Sequence, residues 1–141
     1  MAEAPPASPL EAALARVGDR WALLVVDALL HGPRRFGELQ QEVRGIASNV
    51  LSTRLRQLET QGLVVARPYS QRPPRSAYEL TGPGRDLAGA LRLLAEWGAG
   101  VAGDGAARRH PACGTPLEAR WYCPTCARSV DDHETEDLRY L

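Results

Sequence analysis

Residues 20–30 constrain the fold more than any other segment, because they are apolar on almost every side. Asp19 stands before them in a position that can cap a helix, and Gly32-Pro33 follow, a pair that ends one. A helix that is apolar nearly all round is buried at the centre of a domain. The rest of the chain must therefore assemble around this helix. Its large apolar residues are Trp21, Leu23, Leu24, Val25, Val26, Leu29 and Leu30.

Helical signals also precede and follow this segment. Ser8-Pro9-Leu10-Glu11 is typical of a helix start, with a capping serine and proline at the first helical position. A last long helix is predicted to begin at Thr81. Two apolar rows at helical spacing mark these outer helices: Leu10, Ala13, Leu14 and Val17 in the first, and Leu87, Leu91, Leu94 and Trp97 in the last. Together they exceed what a small domain buries alone, which predicts a homodimer.

The middle of the chain predicts a helix-turn-helix followed by a β-hairpin. A short helix over 36–43 and a longer one over 48–61, capped by Ser48, flank the turn 44–47. Two strands, 63–69 and 76–80, are joined by a proline- and arginine-rich loop. This order of elements is that of a winged helix-turn-helix. The predicted fold class is therefore mainly α with a small β-hairpin (α+β).

The helix over 48–61 has the face of a DNA-reading helix. At about 100° per residue, its apolar arc consists of Val50, Leu51, Leu55 and Leu58. The opposite arc consists of Asn49, Ser52, Thr53, Arg56 and Thr60. Asparagine, serine and threonine can read base edges, and arginine can reach guanine or phosphate. Any exposed helix face is polar, however, so the adjoining hairpin and the local charge also matter.

Three further residues complete the predicted DNA-binding set. Ser48 lies at the helix start, where a phosphate can bind, and the predicted wing 70–76 carries Arg72 and Arg75 in its loop 70–75. Arg54 falls within the apolar arc, where its stem can pack while its guanidinium reaches an acid or a phosphate. The DNA-binding set is therefore Ser48, Asn49, Ser52, Thr53, Arg54, Arg56, Arg72 and Arg75.

The charge distribution supports this interpretation although the formal net charge of the chain is zero. Residues 34–75 contain eight arginines and three acids, a net charge of +5, whereas residues 128–141 have a net charge of −3. A basic middle segment favours a polyanionic partner such as double-stranded DNA.

All three cysteines lie near the C-terminus, in the pattern H-x2-C-x9-C-x2-C formed by His110, Cys113, Cys123 and Cys126. Zinc prefers thiolate and imidazole ligands in such spacing, so the pattern predicts one structural zinc ion in a zinc-ribbon-like module. A disulfide framework is disfavoured by the odd cysteine number and the lack of a signal peptide. A thioredoxin-like redox pair lacks the following helix that its βαβ unit requires. Two unliganded turns remain the simplest alternative.

We therefore expect a disordered N-terminus (1–7), a DNA-binding and dimerisation domain (8–103) and a zinc-ribbon-like module with an acidic tail (104–141). No apolar run is long enough to cross a membrane, and a cytoplasmic location is expected. An enzyme is not expected, because the chain shows no nucleophile with an adjacent base, no phosphate loop and no open metal position.

Several stretches resemble the HxlR family of bacterial transcription regulators. They are residues 18–21, 29–39, 50–59 and 73–81, and the resemblance covers about residues 8–98. It implies a dimeric winged-helix repressor or activator whose first and last helices form the dimer. Many members begin the first helix with a Cys-Pro pair, and some sense oxidants with that cysteine; Ser8-Pro9 makes this mechanism unavailable here. The C-terminal pattern resembles a tail found on a subset of the family, with Ala127 in place of the usual glycine.

The leading hypothesis is therefore sequence-specific binding of double-stranded DNA by a homodimeric, non-enzymatic transcriptional regulator. One alternative is a zinc-ribbon adaptor for another protein, although an adaptor would not need the polar arc beside an arginine-bearing hairpin. Another is a thiol redox sensor in which oxidation of Cys123 and Cys126 ejects the metal. No residue pattern specifies a small-molecule effector.

Overall fold

The computed structural model describes residues 8–103, 105, 108–131 and 134. The expected disorder of residues 1–7 and most of the expected acidic tail lie outside the described residues. The chain divides into two compact units, one up to Arg92 and one from Leu93. The division falls inside a helix, and the domain bounds 8–103 and 104–141 stay a prediction. None of the described helices is long and apolar enough to cross a membrane.

The first unit contains helices and a three-stranded antiparallel sheet in which the last strand along the chain lies between the other two. Its elements are α1 (Pro9–Val17), α2 (Arg20–Leu30), β1 (Arg34–Arg35), α3 (Phe36–Glu42), α4 (Ser48–Thr60), β2 (Val64–Gln71), β3 (Pro74–Leu80) and α5 (Gly82–Arg85). Helix α6 (Ala88–Ala102) crosses the division, and the second unit also contains β4 (Trp121–Cys123) and β5 (Arg128–Val130). The predicted helix-turn-helix and hairpin are therefore present.

Apolar burial fixes the orientation of the two central helices. Val25 and Val26 of α2 are completely buried, as expected of a central helix, whereas Leu24 on the same helix is 43% exposed, so α2 is not buried on every side. On α4, the predicted apolar arc faces the core: Leu51, Leu55 and Leu58 are buried and Val50 packs against them. Burying a leucine side chain contributes about 1.5–3 kcal/mol, whereas an exposed ion pair contributes about 0–1 kcal/mol. The apolar arc therefore decides which face of α4 reaches solvent.

Two predicted segments differ from the structure. The hairpin strands run to Gln71 and from Pro74, so the loop contains only Arg72 and Pro73 and not residues 70–75. Proline is tolerated at the first residue of a strand, which allows the ladder to extend to the loop. The helix predicted from Thr81 is divided into α5 and α6, with Asp86 and Leu87 between them.

The shortest strand, β1, was not predicted. Arg34 pairs with Tyr78 and Arg35 with Ala77 of β3, so β1 joins the hairpin to the start of α3. Two residues are too few for a periodic pattern, which is why the sequence does not reveal this strand.

Asp19 connects α2 to α4. Its carboxylate caps α2 by accepting the backbone N–H groups of Trp21 and Ala22 at 2.9 and 3.2 Å. The same carboxylate accepts two hydrogen bonds from the guanidinium of Arg54, at 2.8 and 3.0 Å. The bidentate geometry fixes α4 against the start of α2 more specifically than apolar packing alone.

Opposing effects act on the pKa of Asp19. Desolvation by burial raises it, but the hydrogen bonds from Arg54, Ala22 and Trp21 and the charge of Arg54 together bring the pKa below its ordinary value of 3.8. Because the pKa is lower in the folded chain than in the unfolded chain, the carboxylate stabilises the fold above the unfolded pKa. This stabilisation is lost as the pH falls through the folded pKa.

Asp19→Ala is expected to lower the free energy of unfolding by about 1–2 kcal/mol, because it removes a helix cap and an ion pair. Asp19→Asn keeps an oxygen acceptor for the cap and should cost less. Its difference from wild type should be present at neutral pH and shrink as the pH falls below about 4. Urea unfolding at several pH values measures both effects.

Asp27→Ala is the matched control, since Asp27 is an exposed residue of the same helix. Its effect should stay within about 0.5 kcal/mol. An Asp19→Ala loss no greater than that of Asp27→Ala would contradict the structural role of the Asp19–Arg54 pair.

Candidate nucleic-acid interface

The predicted polar arc of α4 faces solvent. Asn49, Thr53 and Arg56 are exposed and Ser52 is half-buried. The Thr53 hydroxyl donates to the Asn49 carbonyl oxygen at 2.8 Å, so its oxygen presents acceptor lone pairs outward. The arc therefore presents small hydrogen-bonding groups in the first turns and a cation one turn further along.

Ser48 does not cap α4 as expected. Ala47 occupies the N-cap position, without a side-chain cap, and Ser48 is the first helical residue. The Ser48 hydroxyl instead accepts a hydrogen bond from Nε2 of Gln40 at 2.9 Å, which links α3 to α4 across the turn. Because Ser48 acts as the acceptor there, its own O–H can still donate to another group.

Arg54 has a structural contact that the DNA-binding set did not assign to it. Its guanidinium holds the Asp19 carboxylate and also donates to Oε1 of Gln57 at 2.8 Å. Its side chain is only 25% exposed. Of the two expectations for this residue, an acid or a phosphate, the structure shows the acid. We therefore remove Arg54 from the residues that we expect to contact DNA.

Contacts with acids sort the eight arginines between residues 34 and 75 into two groups. Three lie beside a carboxylate: Arg34 beside Glu42 at 2.8 Å, Arg54 beside Asp19 at 2.8 Å, and Arg67 beside Glu79. The other five are exposed and have no carboxylate partner among the described residues. They are Arg35, Arg44, Arg56, Arg72 and Arg75.

Two of these five exposed arginines, Arg35 and Arg44, were not in the predicted DNA-binding set. Arg35 lies at the N-cap of α3, and Arg44 lies in the turn before α4. Neither stands in a periodic pattern, so the only sequence signal was the local excess of arginine. Conversely, the position of Arg54 within the apolar arc of α4 already pointed to a structural contact.

The hairpin presents cations at its tip. Arg72 is in the two-residue loop, and Arg75 is the second residue of β3, paired in register with Ser70. Both side chains are exposed. The short loop holds these two arginines closer to the ordered strands than a six-residue loop would.

The four predicted metal ligands lie in two turns of the second unit. In the first turn, the Gly114 N–H donates to the His110 carbonyl oxygen at 2.8 Å, and Nδ1 of His110 lies 3.4 Å from Sγ of Cys113. In the second turn, which joins β4 to β5, the Cys126 N–H donates to Sγ of Cys123 at 3.5 Å. The residue after each turn is left-handed, Gly114 with φ 70° and Ala127 with φ 53°.

The structure therefore brings the ligands together as two pairs. Among the described residues, no three or more His, Cys, Asp or Glu side chains form a group that could hold a metal ion. Hydrogen bonds with Thr115 lower the pKa of Cys113, and the backbone N–H of Cys126 is the main cause of a lowered pKa at Cys123. All three cysteines are free thiols.

Known proteins resemble the chain along most of its length. An HTH-type transcriptional regulator of Mycobacterium tuberculosis, so far uncharacterized, is 39% identical over 122 residues, which cover 84% of this chain and 77% of that protein. The structure of YtcD, described as an HTH-type transcriptional regulator, aligns with a TM-score of 0.64 at 36% identity. The alignment covers 68% of this chain and 98% of YtcD.

The redox regulator HypR in its reduced form aligns equally well, with a TM-score of 0.64 at 33% identity, over 67% of this chain and 94% of HypR. The family model described as HxlR-like helix-turn-helix matches residues 16–104, which end before the two C-terminal turns. The helix-turn-helix, the hairpin and the sequence matches agree, and the chain belongs to the HxlR-like helix-turn-helix family of transcriptional regulators.

Proposed function

We propose that the chain is a sequence-specific regulator that binds double-stranded DNA as a homodimer, with α4 in the major groove. The observation that carries this proposal is the exposed polar arc of α4, together with five exposed arginines of residues 34–75 that have no acid partner among the described residues. An arginine that is already paired with a carboxylate adds little to the affinity for a phosphate. An unpaired arginine adds more, because its binding to a phosphate releases a counterion from the DNA.

The order of side chains along α4 suits a helix that lies in the major groove of DNA. A recognition helix contacts base edges mainly with its N-terminal residues. Asn49, Ser52 and Thr53 occupy these turns and can pair with adenine or with either base. Arg56 lies further along and can reach guanine or phosphate. The hairpin arginines, Arg72 and Arg75, then contact the backbone or an adjacent minor groove.

This division of roles predicts different effects of alanine substitution on DNA binding. The operator is first obtained by selecting bound sequences from random duplexes. Asn49→Ala, Ser52→Ala and Thr53→Ala should change base preference, by about 1–3 kcal/mol at each bidentate contact. Arg56→Ala, Arg72→Ala and Arg75→Ala should weaken binding to all sequences. Each should lower the magnitude of the slope of log affinity against log salt by about 1 per protomer.

Arg54→Ala is the matched control on the same helix. It should lower the free energy of unfolding while leaving the salt slope close to that of wild type. If wild type selects no common sequence, or if the six substitutions leave binding unchanged at every salt concentration, α4 is not a recognition helix.

The homodimer is proposed from exposed apolar side chains on two helices. On α1, Leu10 is 67% exposed and Leu14 is 54% exposed, while Val17 is buried. On α6, Leu94 is 51% exposed and Trp97 is 69% exposed, while Leu91 is buried. Solvated apolar rows on two helices are what a two-fold partner of the same sequence would cover.

A dimeric mass is therefore expected at micromolar concentration, and the operator should be an inverted repeat. Trp97→Ala should raise the dissociation constant of the dimer, because it removes a large exposed aromatic side chain from the proposed contact. Sedimentation equilibrium measures both. Leu117→Ala, at an exposed leucine outside both helices, is the control. A wild-type monomer, with and without DNA, would contradict the homodimer.

We also propose that His110, Cys113, Cys123 and Cys126 bind one structural zinc ion. The support is the shared form of the two turns, each pairing two soft donors three residues apart and ending in a left-handed residue. Zinc would supply a four-coordinate crosslink between the turns, with no open position for catalysis. Leu117, Trp121 and Tyr122 are all exposed, so apolar burial does little to order this segment.

Purified chain should contain about one zinc ion per protomer, and His110→Ala should lower this content whereas His31→Ala should not. Chelation should increase hydrogen exchange over residues 108–127 and leave α4 protected, because metal binding and folding are coupled in such modules. Well under one zinc per chain after metal-replete expression, with thiols reduced, would refute the site.

A further inference from the structure

A groove runs between the start of α3 and the hairpin. Arg35 and Arg75 both line it, and Tyr69 and Ser76 are among its other lining residues. It is open to solvent and has a volume of about 630 Å³. None of these four residues belongs to the recognition helix, so the groove is a separate surface of the first unit.

The Arg35 backbone is held in place by neighbouring elements. Arg35 pairs with Ala77 of β3, and the Arg35 N–H donates to Oε2 of Glu38 at 2.6 Å. The guanidinium lies over the ring of Tyr69, 4.6 Å from its centroid, which is cation–π distance. Both the backbone and the charged end of Arg35 are therefore oriented before any ligand binds.

Tyr69 reaches this position through an irregularity in the sheet. The register of β2 with β3 shifts between Pro68 and Ser70, so Tyr69 is an extra residue opposite no partner. Such a bulge re-aims a side chain. Here the ring, 46% exposed, supports Arg35 and does not join the core.

The charges of the groove favour an anion. Arg35 and Arg75 have no carboxylate partner among the described residues. The acid that lines the groove, Glu38, accepts the Arg35 backbone N–H at the start of α3. Guanidinium groups form bidentate hydrogen bonds with phosphate oxygens and are weakly hydrated, which suits two of them to one phosphodiester.

We propose that this groove binds a phosphate of the DNA backbone between Arg35 and Arg75, with Tyr69 as the positioning residue for Arg35. The inference rests on the proposed DNA-binding function and adds a backbone contact outside α4. A backbone contact is independent of base sequence, so it raises affinity and fixes the register of the protein on the duplex.

The test measures the affinity of the full chain for the selected operator and for a scrambled duplex at several salt concentrations. Arg35→Ala and Arg35→Gln should weaken binding to both duplexes by the same factor. Each should lower the magnitude of the salt slope by about 1 per protomer. Tyr69→Leu should weaken both complexes by a smaller factor, whereas Tyr69→Phe keeps the ring and should bind like wild type.

Arg85→Ala is the control, because it removes another exposed arginine, beyond the opposite end of β3. Thermal unfolding of each variant shows that the fold is retained. If Arg35→Gln matches Arg85→Ala while Arg56→Ala still lowers the slope, the groove is not a phosphate site and the proposed function stands. If Arg35→Gln changes the selected base sequence, the contact is to a base, which also overturns the inference. If wild type binds neither duplex, the proposed function fails with it.

Discussion

The carboxylate of Asp19 contacts two helices and restricts how α4 is positioned against α2. It completes the hydrogen bonding at the start of α2 and holds the guanidinium of Arg54 by two bonds. Apolar burial turns the leucines of α4 inward, but packing alone tolerates small rotations and shifts. A bidentate pair has a single favourable geometry, so it restricts the position from which Asn49 and Arg56 face solvent.

The ion pairs of the arginines explain why the net charge of a segment does not identify the residues that can bind a polyanion. Residues 34–75 contain eight arginines and three acids, yet three of these arginines pair with Glu42, Asp19 and Glu79. Only the remaining cations can release counterions on binding a polyanion. The surface that we propose for DNA is therefore drawn from the arginines without an acid partner among the described residues, which include Arg35 and exclude Arg54.

The two units differ in what stabilises them. The first has a core of buried aliphatic side chains from α2, α3, α4 and the hairpin. In the second, the large apolar residues 117, 121 and 122 are exposed, and the described turns rely on backbone hydrogen bonds. A segment of this kind needs another source of order, which is the physical reason for proposing that its histidine and cysteines bind a metal ion.

Local patterns in the sequence determined the central helix, the inward arc of α4 and the existence of the hairpin. Each follows from side-chain periodicity or from capping residues within a few positions. The two pairs of sulfur and nitrogen donors were also evident from their spacing, although in the described part of the chain the four do not form one group. The N-cap of α4 was misassigned: Ala47 occupies that position, and the Ser48 hydroxyl accepts a hydrogen bond from Gln40.

Only the tertiary structure decided which arginines remain available. The partner of Arg54, Asp19, lies 35 positions away in the sequence. The Tyr69 ring that contacts Arg35 lies on another strand, at a bulge that the sequence pattern does not predict. Local sequence carries the free-energy preferences of helices and turns, since these depend on neighbours along the chain. The pairing of charges depends on distances between elements, which are set only when the apolar faces pack together.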